Sequence, residues 1–364
     1  MQYTNTPYKA KCVIDADGTP LLSDTGILKQ KTLLKKLYQH MVLIRQFDQR
    51  VVALQRTGQM GTYASCLGQE AIGTGIGAAL SSQDVLVPYY RDQATQLWRG
   101  VTLSQQLSYW GGNEWGNHFS GDATQDFPNC VPIATQVTHA AGVASAMKIK
   151  AEKRCALTTC GEGATSRGDF YESLNLAGSW QLPLVVVVNN NQWAISVPRS
   201  IQTGAETIAQ KAVAAGIEGF QVDGNDVCSV YDAVQYAVEK AHQGKGATLI
   251  EAISYRLCDH TTADDATRYR QIEEVNDAWK REPIKRLQTY LHSIGAWDHD
   301  QEQRLQDTCK QEVEAAVADY LSQPNQPIDD VFNYVFEDTP AHLYKQLDQA
   351  KQKQTHMAVT EGGH

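Results

Sequence analysis

The feature that most constrains the fold is a regular alternation of short apolar stretches with helical stretches in the middle of the chain. Each apolar stretch has the length and the β-branched content of a buried strand. Strands that alternate with helices are joined by crossovers and therefore run parallel. The predicted order is strand 85–88, helix 136–150, strand 155–160, helix 169–180, strand 184–188, strand 220–222, a helix ending near 242, and strand 248–254. We therefore predict an α/β fold with a mainly parallel sheet flanked by helices.

The two ends of the chain lack this alternation. Apolar residues recur every three or four positions over 27–54, which predicts a long amphipathic helix that ends near Gly58. Towards the C-terminus the pattern becomes helical and charged, and the last residues are polar. The predicted division is an N-terminal arm over 1–26, a single α/β domain over 27–350 with C-terminal helices from about 270, and a frayed tail over 351–364.

Composition and charge disfavour several classes of function. The net charge of −9 argues against a nucleic-acid or an anionic-membrane partner. No stretch has the roughly 18 consecutive apolar residues of a membrane-spanning helix, and the first residues lack the pattern of a signal peptide. The eight cysteines include no C-x-x-C pair, so we expect reduced thiols rather than a zinc or dithiol redox site. These features together predict a cytoplasmic protein.

The stretch GEGATSRGDFYESLNLAGSWQLPLVVVVNNN, residues 161–191, carries the most chemistry. Glu162 follows one predicted strand, and Asn189, Asn190 and Asn191 follow the next strand along the chain. The carboxyl ends of neighbouring parallel strands lie at the same edge of a sheet, so we expect these side chains in one crevice. A carboxylate and amide oxygens suit Mg²⁺, which takes few protein ligands and binds phosphate oxygens as well.

The glycines of this stretch are compatible with a phosphate-binding turn. Gly161 and Gly163 allow the backbone to approach a phosphate closely, and the helix that follows is expected to offer its N-terminal amides. Two familiar motifs do not fit. A P-loop needs a lysine that is absent here, and a dinucleotide fingerprint needs a third glycine where this chain has Ser166. A plain strand–turn–helix, with the asparagines as turn residues, is the alternative interpretation.

Further motifs accompany this stretch: GTYASCLGQEA, VPYYRDQ, FPNCVPIATQVTHAAGVASAMK, LPLVVVVNNNQWAISVP, VDGNDVCSVYDAV and DHTTADDATRYR. Together with the G-E-G and N-N elements, they resemble the α subunits of thiamine diphosphate-dependent 2-oxoacid dehydrogenase E1 components over residues 35–350. The resemblance is strongest to the bacterial pyruvate dehydrogenase subunits, with branched-chain and acetoin relatives close behind. It implies the thiamine diphosphate-binding fold for the α/β domain.

The resemblance implies a role for each matching residue. Mg²⁺ would be bound by Glu162, by Asn191 and by the backbone carbonyl of Trp193. The histidine of the active site would be His260, and a pKa near working pH would let it move a proton or steady developing charge. The other implied contacts are those of the diphosphate with Tyr90, Arg91, Gly163 and Ala164, of the thiazolium or pyrimidine with Ile133, and of the substrate with Tyr63 and Ser65.

Glutamate at position 162 departs from most of the family, which has aspartate there. The extra methylene lets the carboxylate reach about 1.5 Å further, and octahedral Mg²⁺ is sensitive to such a change. Branched-chain members of the family also have glutamate at this position. The resemblance therefore implies a tolerant metal site, and it moves the substrate prediction towards branched-chain 2-oxoacids.

The implied function is oxidative decarboxylation of pyruvate with transfer of the acetyl group to the lipoyl group of an E2 core. In the resembling enzymes the glutamate that activates the cofactor comes from a β chain, so we expect an α₂β₂ assembly and no activity from this chain alone. The long N-terminal helix and the small residues Gly73, Gly75, Gly77 and Ala78 are candidates for that interface. The alternatives are a branched-chain 2-oxoacid or acetoin dehydrogenase, and a catalytically silent scaffold subunit.

Overall fold

The computed structural model describes residues 10–22, 25–324 and 326–361. Residues 1–9 of the predicted N-terminal arm and 362–364 of the predicted tail lie outside the described residues, as do positions 23, 24 and 325.

A five-stranded parallel sheet forms the centre of the fold. In chain order the strands are β1 Val85–Val87, β2 Ala156–Gly161, β3 Leu184–Asn190, β4 Trp193–Ala194, β5 Val197–Pro198, β6 Glu218–Asp223 and β7 Thr248–Ile253. The order within the sheet is β1-β2-β3-β7-β6, and β4 and β5 form a separate antiparallel hairpin. The predicted α/β fold with a parallel sheet is confirmed. The sequence does not predict the hairpin, because strands of two residues are too short for a periodic pattern.

The predicted helices over 27–54, 136–150 and 169–180 and the helix ending near 242 are present to within a few residues. In chain order the α-helices are α1 Lys31–Arg56, α2 Glu70–Ala79, α3 Gln93–Trp98, α4 Leu103–Trp110, α5 Thr135–Ile149, α6 Gly168–Ser179, α7 Arg199–Gln202, α8 Lys211–Ala214, α9 Val227–His242, α10 Ile272–Trp279, α11 Pro283–Ser293, α12 His299–Ser322, α13 Asp330–Asn333 and α14 Ala341–Glu361. The sequence pattern does not predict the short helices α3, α4, α7 and α8. After α1 the chain turns through Gly58 at a φ of +74°, as its glycine predicts. In the described part of the chain, no helix combines the length and the apolar character needed to cross a membrane.

Helices cover both faces of the sheet. On one face α5 and α6 pack Ala140 and Phe170 against the strands, and on the other α2 and α9 contribute Ile76 and Val234. Outside α2 lies α1, which packs with α11 in a further apolar layer. The central strand β3 is buried on both faces, which is why its residues 184–188 form a continuous apolar run rather than an alternating one.

The glycines of α2 allow close packing within this chain. A Cβ added at these positions would come too near a neighbour: 2.7 Å from Ala94 Cβ at Gly73, 2.7 Å from Val230 Cγ1 at Gly75, and 2.6 Å from Trp98 Cβ at Gly77. The helix therefore lies tightly between α3 and α9. Because internal neighbours occupy the space beside them, these glycines give no support to a subunit interface on α2.

The long loop predicted over 111–132 is mostly irregular and contains two short 3-10 turns, Glu114–Asn117 and Gly121–Ala123. Near its end the buried carboxylate of Asp126 pairs with Arg99, which follows α3, at 2.5 Å. This ion pair fixes the loop beside β1. The loop then delivers the residues that precede α5 to the carboxyl edge of the sheet.

The described residues group into two compact units, one that ends at residue 318 and one that begins at residue 319. The second unit contains the end of α12 together with α13 and α14, and Lys351 Nζ pairs with Asp329 Oδ1 at 2.5 Å within it. The described part of the predicted tail is helical, since α14 continues to Glu361. The fraying of the tail and the single domain over 27–350 stay predictions.

Candidate active site

A cavity of about 220 Å³ opens at the carboxyl edge of β2 and β3. Its walls come from the end of the long loop, the turn after β2, the β4–β5 hairpin and the segment after β7. Edges of this kind are where open parallel sheets bind ligands. Every residue predicted to bind the cofactor or the metal lines it, namely Tyr90, Arg91, Ile133, Glu162, Gly163, Ala164, Asn191, Trp193 and His260.

The register of the sheet brings Glu162 and Asn191 together. Gly161 at the end of β2 pairs with Asn189 of β3, so the residues that follow each strand meet at the same level. The Glu162 side chain is buried, and its Oε2 accepts a hydrogen bond from the Asn191 backbone nitrogen at 3.1 Å. Burial raises the pKa of Glu162, an effect that hydrogen bonds and nearby arginines offset only in part. The Glu162 carboxylate and the Asn191 backbone are therefore in direct contact at the cavity, and both residues line it.

Only one of the three consecutive asparagines faces the cavity. The expectation that all three follow the strand is wrong, because Asn189 and Asn190 belong to β3. Side chains alternate along a strand, so Asn190 points the opposite way from its neighbours. It donates a hydrogen bond to Glu251 Oε1 at 2.7 Å, away from the cavity. Asn191 is thus the single member of the group that can reach a ligand bound there.

A short turn, rather than the start of a long helix, forms the cavity wall after β2. Glu162–Ser166 is a 3-10 turn, and α6 begins only at Gly168, which does not line the cavity. The expectation that the N-terminal amides of the following helix face the ligand is therefore wrong. The turn lies against the β4–β5 hairpin so closely that a Cβ on Gly163 would stand 2.8 Å from Ala194 Cβ.

The backbone around the cavity is strained at three positions. Ala134, Gln192 and Ile195 have φ values of 70°, 73° and 55°, which non-glycine residues rarely adopt. The conformation is most costly for the β-branched Ile195. Arg256 holds this hairpin, donating from Nη1 to the Trp193 carbonyl at 3.1 Å and from Nη2 to the Ile195 carbonyl at 2.8 Å. The cavity wall is therefore shaped by its surroundings and not by local preference.

Two buried arginines lie at the cavity: Arg91 lines it, and Arg256 lies behind its wall, bonded to the hairpin carbonyls. Arg91 and Arg256 are both buried, and no carboxylate in the described part of the chain forms an ion pair with either. Burial and, after it, repulsion by Arg91 lower the pKa of Arg256. Buried cations that repel each other and lack a carboxylate partner favour an anionic ligand.

His260 is a neutral ring in this environment. Its Nδ1 lies 3.4 Å from Arg91 Nη2 and 3.3 Å from Arg256 Nη1. Guanidinium groups only donate, so Nδ1 must accept and the ring hydrogen must be on Nε2. Burial, followed by the charges of Arg91 and Arg256, lowers the pKa of His260 to about 3. The expectation of a pKa near working pH is therefore wrong, and the ring can donate a hydrogen bond from Nε2.

Tyr63 and Ser65, the predicted substrate residues, are not among the residues that line the cavity. Both are buried, and their hydroxyls donate to the Asp48 carboxylate at 2.8 Å and 2.5 Å. The Ser65 carbonyl accepts a hydrogen bond from Arg91 Nη1. Ser65 thus supports Arg91 from behind, and a direct contact of Tyr63 or Ser65 with substrate has no support in this geometry.

Sequence reasoning misses three polar residues of the site, Gln69, Gln136 and Arg256. Gln136 lines the cavity and donates to the Thr159 carbonyl at 2.9 Å, but its buried Oε1 has no partner among the described residues. Such an atom is expected to bond a ligand or water. The available signal is a polar residue on the apolar face of a helix, since buried polar groups need partners. No comparable signal marks Gln69 or Arg256.

Comparisons with known proteins agree with this geometry. The sequence model of the family described as "Dehydrogenase E1 component" matches residues 38–329. The chain is 38% identical over 344 residues to "Pyruvate dehydrogenase E1 component subunit alpha" of Bacillus cereus, covering 94% of this chain and 91% of that protein. Proteins of the same name from Staphylococcus aureus and Staphylococcus epidermidis are 36% identical over 353 residues, covering 97% of this chain and 95% of theirs. The chain therefore belongs to the dehydrogenase E1 component family.

Proposed function

We propose that this chain is the α subunit of a pyruvate dehydrogenase E1 component. In this proposal it takes part in the oxidative decarboxylation of pyruvate and in acetyl transfer to the lipoyl group of an E2 core, in the cytoplasm. The names of its relatives, pyruvate dehydrogenase E1 component subunit alpha, support this reading over nearly the full length of the chain.

The observation that carries the proposal is the contact of Glu162 with Asn191 in a cavity that Arg91 also lines. Arg256 is buried behind the hairpin wall, and neither arginine forms an ion pair with a carboxylate of the described residues. The first pair offers oxygen ligands of the kind that Mg²⁺ prefers. The second pair offers charge for the diphosphate that such an ion would accompany. One crevice thus has separate groups for a divalent cation and for its anionic partner.

The residues of the cavity fit thiamine diphosphate with Mg²⁺. Glu162, Asn191 and the Trp193 carbonyl would hold the ion, and Tyr90, Arg91, Gly163 and Ala164 would hold the diphosphate. Ile133 would contact the ring end of the cofactor. The unpartnered Oε1 of Gln136 is a polar atom that only a bound group or water can satisfy. When bound, thiamine diphosphate supplies the electron sink for the loss of CO₂ from a 2-oxoacid.

In this proposal the protein side chains orient and stabilise the cofactor and the reacting group, and the cofactor carries the difficult chemistry. Arg91 is held rigidly by the Ser65 and His260 carbonyls, the second at 3.0 Å, so its fixed charge is preorganised for a phosphate oxygen. His260 would donate a hydrogen bond from Nε2 to an oxygen of the cofactor or the reacting group. With a pKa of about 3, it would do so as a neutral donor across the working pH range.

Turnover by the assembled enzyme tests the proposal. The chain is co-expressed with its β-type partner, and the assembly is supplied with thiamine diphosphate, Mg²⁺ and an artificial electron acceptor. We expect turnover of pyruvate, and a Glu162→Ala assembly is the inactive control. Faster turnover of branched 2-oxoacids or acetoin would favour those alternatives. An intact assembly that turns over none of these substrates would contradict the enzymatic reading and favour a scaffold subunit.

A further inference from the structure

An asparagine can act as a metal ligand only if its amide presents oxygen rather than nitrogen. The two ends of the amide have nearly the same shape, so hydrogen-bond partners decide its orientation. At Asn191 this decision determines whether the proposed ion meets Oδ1 or the Nδ2 hydrogens. The partners of Asn191 are therefore part of the design of the site.

A backbone group fixes one end of the Asn191 amide. The Trp193 nitrogen lies 3.2 Å from Asn191 Oδ1. A backbone N–H can only donate, so the end of the amide that faces it must be the oxygen. The opposite end must then be Nδ2, which needs an acceptor because Asn191 is buried.

Gln69 provides that acceptor. Its Oε1 lies 3.2 Å from Asn191 Nδ2 and 2.6 Å from Asn189 Nδ2, so one oxygen receives both amides. The oxygen of the Asn189 amide is also occupied, since Ser254 Oγ donates to its Oδ1 at 2.9 Å. The Trp193 nitrogen at one end and Gln69 Oε1 at the other therefore hold the Asn191 amide in a single orientation.

The surroundings of Gln69 restrict its position. It is buried and immediately precedes α2, and Gly68 before it has a φ of +87°. A Cβ on Gly68 would stand 2.6 Å from the Tyr255 carbonyl, so only glycine lets the chain approach this closely. On the other side Glu70 pairs with Arg45 and accepts from the Gly68 nitrogen at 3.0 Å. The backbone on both sides of Gln69 is thereby anchored.

We infer that Gln69 is a positioning residue that turns the Asn191 amide so that its oxygen faces the metal. This inference rests on the proposed function, in which Asn191 binds Mg²⁺. Gln69 does not line the cavity, and of its two asparagine partners only Asn191 does, so it reaches the site through Asn191. Its Nε2 has no hydrogen-bond partner among the described residues, so only the oxygen of its amide contributes to the arrangement. The essential property is thus a hydrogen-bond acceptor at this point.

Two substitutions distinguish the effect of the hydrogen-bond acceptor from the effect of the size of the side chain. Gln69→Met keeps a similar length but removes the acceptor, so the Asn191 amide loses the partner for its nitrogen. Gln69→Glu keeps an oxygen in place. The matched control is Gln106→Met, because Gln106 is also a buried glutamine, but its amide donates to Gln96 Oε1 at 2.6 Å.

The experiment measures the dissociation constant of Mn²⁺ from the co-expressed assembly in the presence of saturating thiamine diphosphate. Loss of a partner behind a metal ligand typically weakens metal binding about 10- to 100-fold. We expect a weakening in this range for Gln69→Met. The Gln106→Met control should keep wild-type affinity for Mn²⁺. Gln69→Glu should keep that affinity or, because of its added carboxylate, bind Mn²⁺ more tightly. Thermal unfolding of each metal-free assembly separates a general loss of stability from a specific loss of metal binding.

The outcomes distinguish this inference from the function on which it rests. A wild-type assembly that does not bind Mn²⁺ with the cofactor would contradict the proposed function and the role of Gln69 together. Wild-type binding that Gln69→Met leaves unchanged would overturn the role of Gln69 alone. A Gln69→Glu assembly that loses as much affinity as expected for the methionine variant would also overturn it, and this second test does not require the methionine variant to fold.

Discussion

At the scale of single residues, the site is defined by how buried charges are balanced. Glu162 is a buried carboxylate that accepts a hydrogen bond from the Asn191 nitrogen. Two nearby arginines act on its pKa through their charge but form no ion pair with it. A bound divalent ion would compensate its negative charge, and a diphosphate would compensate the arginines. We therefore expect the ion and the anion to bind together.

The first prediction concerns Glu162. Glu162→Ala removes the only carboxylate among the described lining residues, and we expect it to abolish Mg²⁺-dependent binding of thiamine diphosphate. Glu162→Asp keeps the charge and should largely keep binding. The measurement is quenching of tryptophan fluorescence as the cofactor is added, because Trp193 lines the cavity. Unchanged binding by the alanine variant would refute the proposed role of Glu162.

The second prediction is a pH dependence that originates from His260. The pKa of the His260 ring is 6.5 in the unfolded chain and about 3 in the folded one, so between these pH values the unfolded chain binds more protons. The free energy of unfolding should therefore fall as pH falls from about 6.5 towards about 3, and this contribution is complete above about pH 6.5.

Denaturant unfolding of the wild type and of His260→Gln, compared at several pH values, measures this contribution. As pH falls through the stated interval, the free energy of unfolding of the wild type should decrease relative to that of His260→Gln. The difference between the two should be constant above the interval. Curves that stay parallel throughout would contradict a histidine held neutral by Arg91 and Arg256.

The sequence predicts the metal pair but not the groups that support it. The strand ends predict Glu162 and a group of three asparagines at one edge of the sheet, since parallel strands deliver their carboxyl ends to one edge, and the family resemblance implies Asn191 among the three. Gln69 and Arg256 come from distant parts of the chain, and only the packing of α2 and of the segment after β7 brings them to the site. The neutral state of His260 likewise depends on the positions of two arginines, which spacing does not encode.

At the scale of elements, α2 is packed closely against its neighbours. Gly75 allows α2 to approach α9, where a Cβ would stand 2.7 Å from Val230 Cγ1. The strands of the parallel sheet and the longer helices are predictable because each is an apolar run or repeats a helical period. How closely two helices approach depends on which of their faces meet, and the sequence does not show this. Read from the sequence alone, the glycines of α2 are equally compatible with a subunit interface.

The third prediction tests that internal packing. Gly75→Ala should destabilise the chain by about 1–3 kcal/mol, as expected for overpacking of a close helix contact. The control is Gly142→Ala in α5, where an added Cβ meets no atom within 4 Å. That change should stabilise the helix by about 0.5–1 kcal/mol, because alanine is the better helix former. Chemical unfolding measures both, and equal effects of the two substitutions would contradict the packing described for α2.

At the scale of the whole molecule, we propose that the described part of the chain holds only part of an active site. Among the described residues that line the cavity, Glu162 is the only carboxylate, and it is assigned to the metal. No acidic group there is left to transfer a proton to the cofactor. Several apolar side chains at the cavity, such as Val131, Ile133 and Ile195, are exposed. A second chain that covers them and supplies the missing acid accounts for both features.

The fourth prediction concerns this incompleteness. The chain purified alone should show no turnover of pyruvate with thiamine diphosphate and Mg²⁺, and addition of the β-type chain should restore it in proportion to the assembly formed. Size-exclusion chromatography together with a turnover assay measures both quantities. Full turnover by the isolated chain would contradict the assignment of the missing acid to a partner.

The position of the metal tests the proposed site most directly. A crystal of the assembly with thiamine diphosphate and Mn²⁺ would locate the ion by its anomalous scattering. We expect one ion bound by the Glu162 carboxylate, Asn191 Oδ1 and the Trp193 carbonyl, with diphosphate oxygens completing its shell at about 2.0–2.3 Å. An ion bound elsewhere, or a diphosphate held in the cavity with no ion between it and Glu162, would contradict this site.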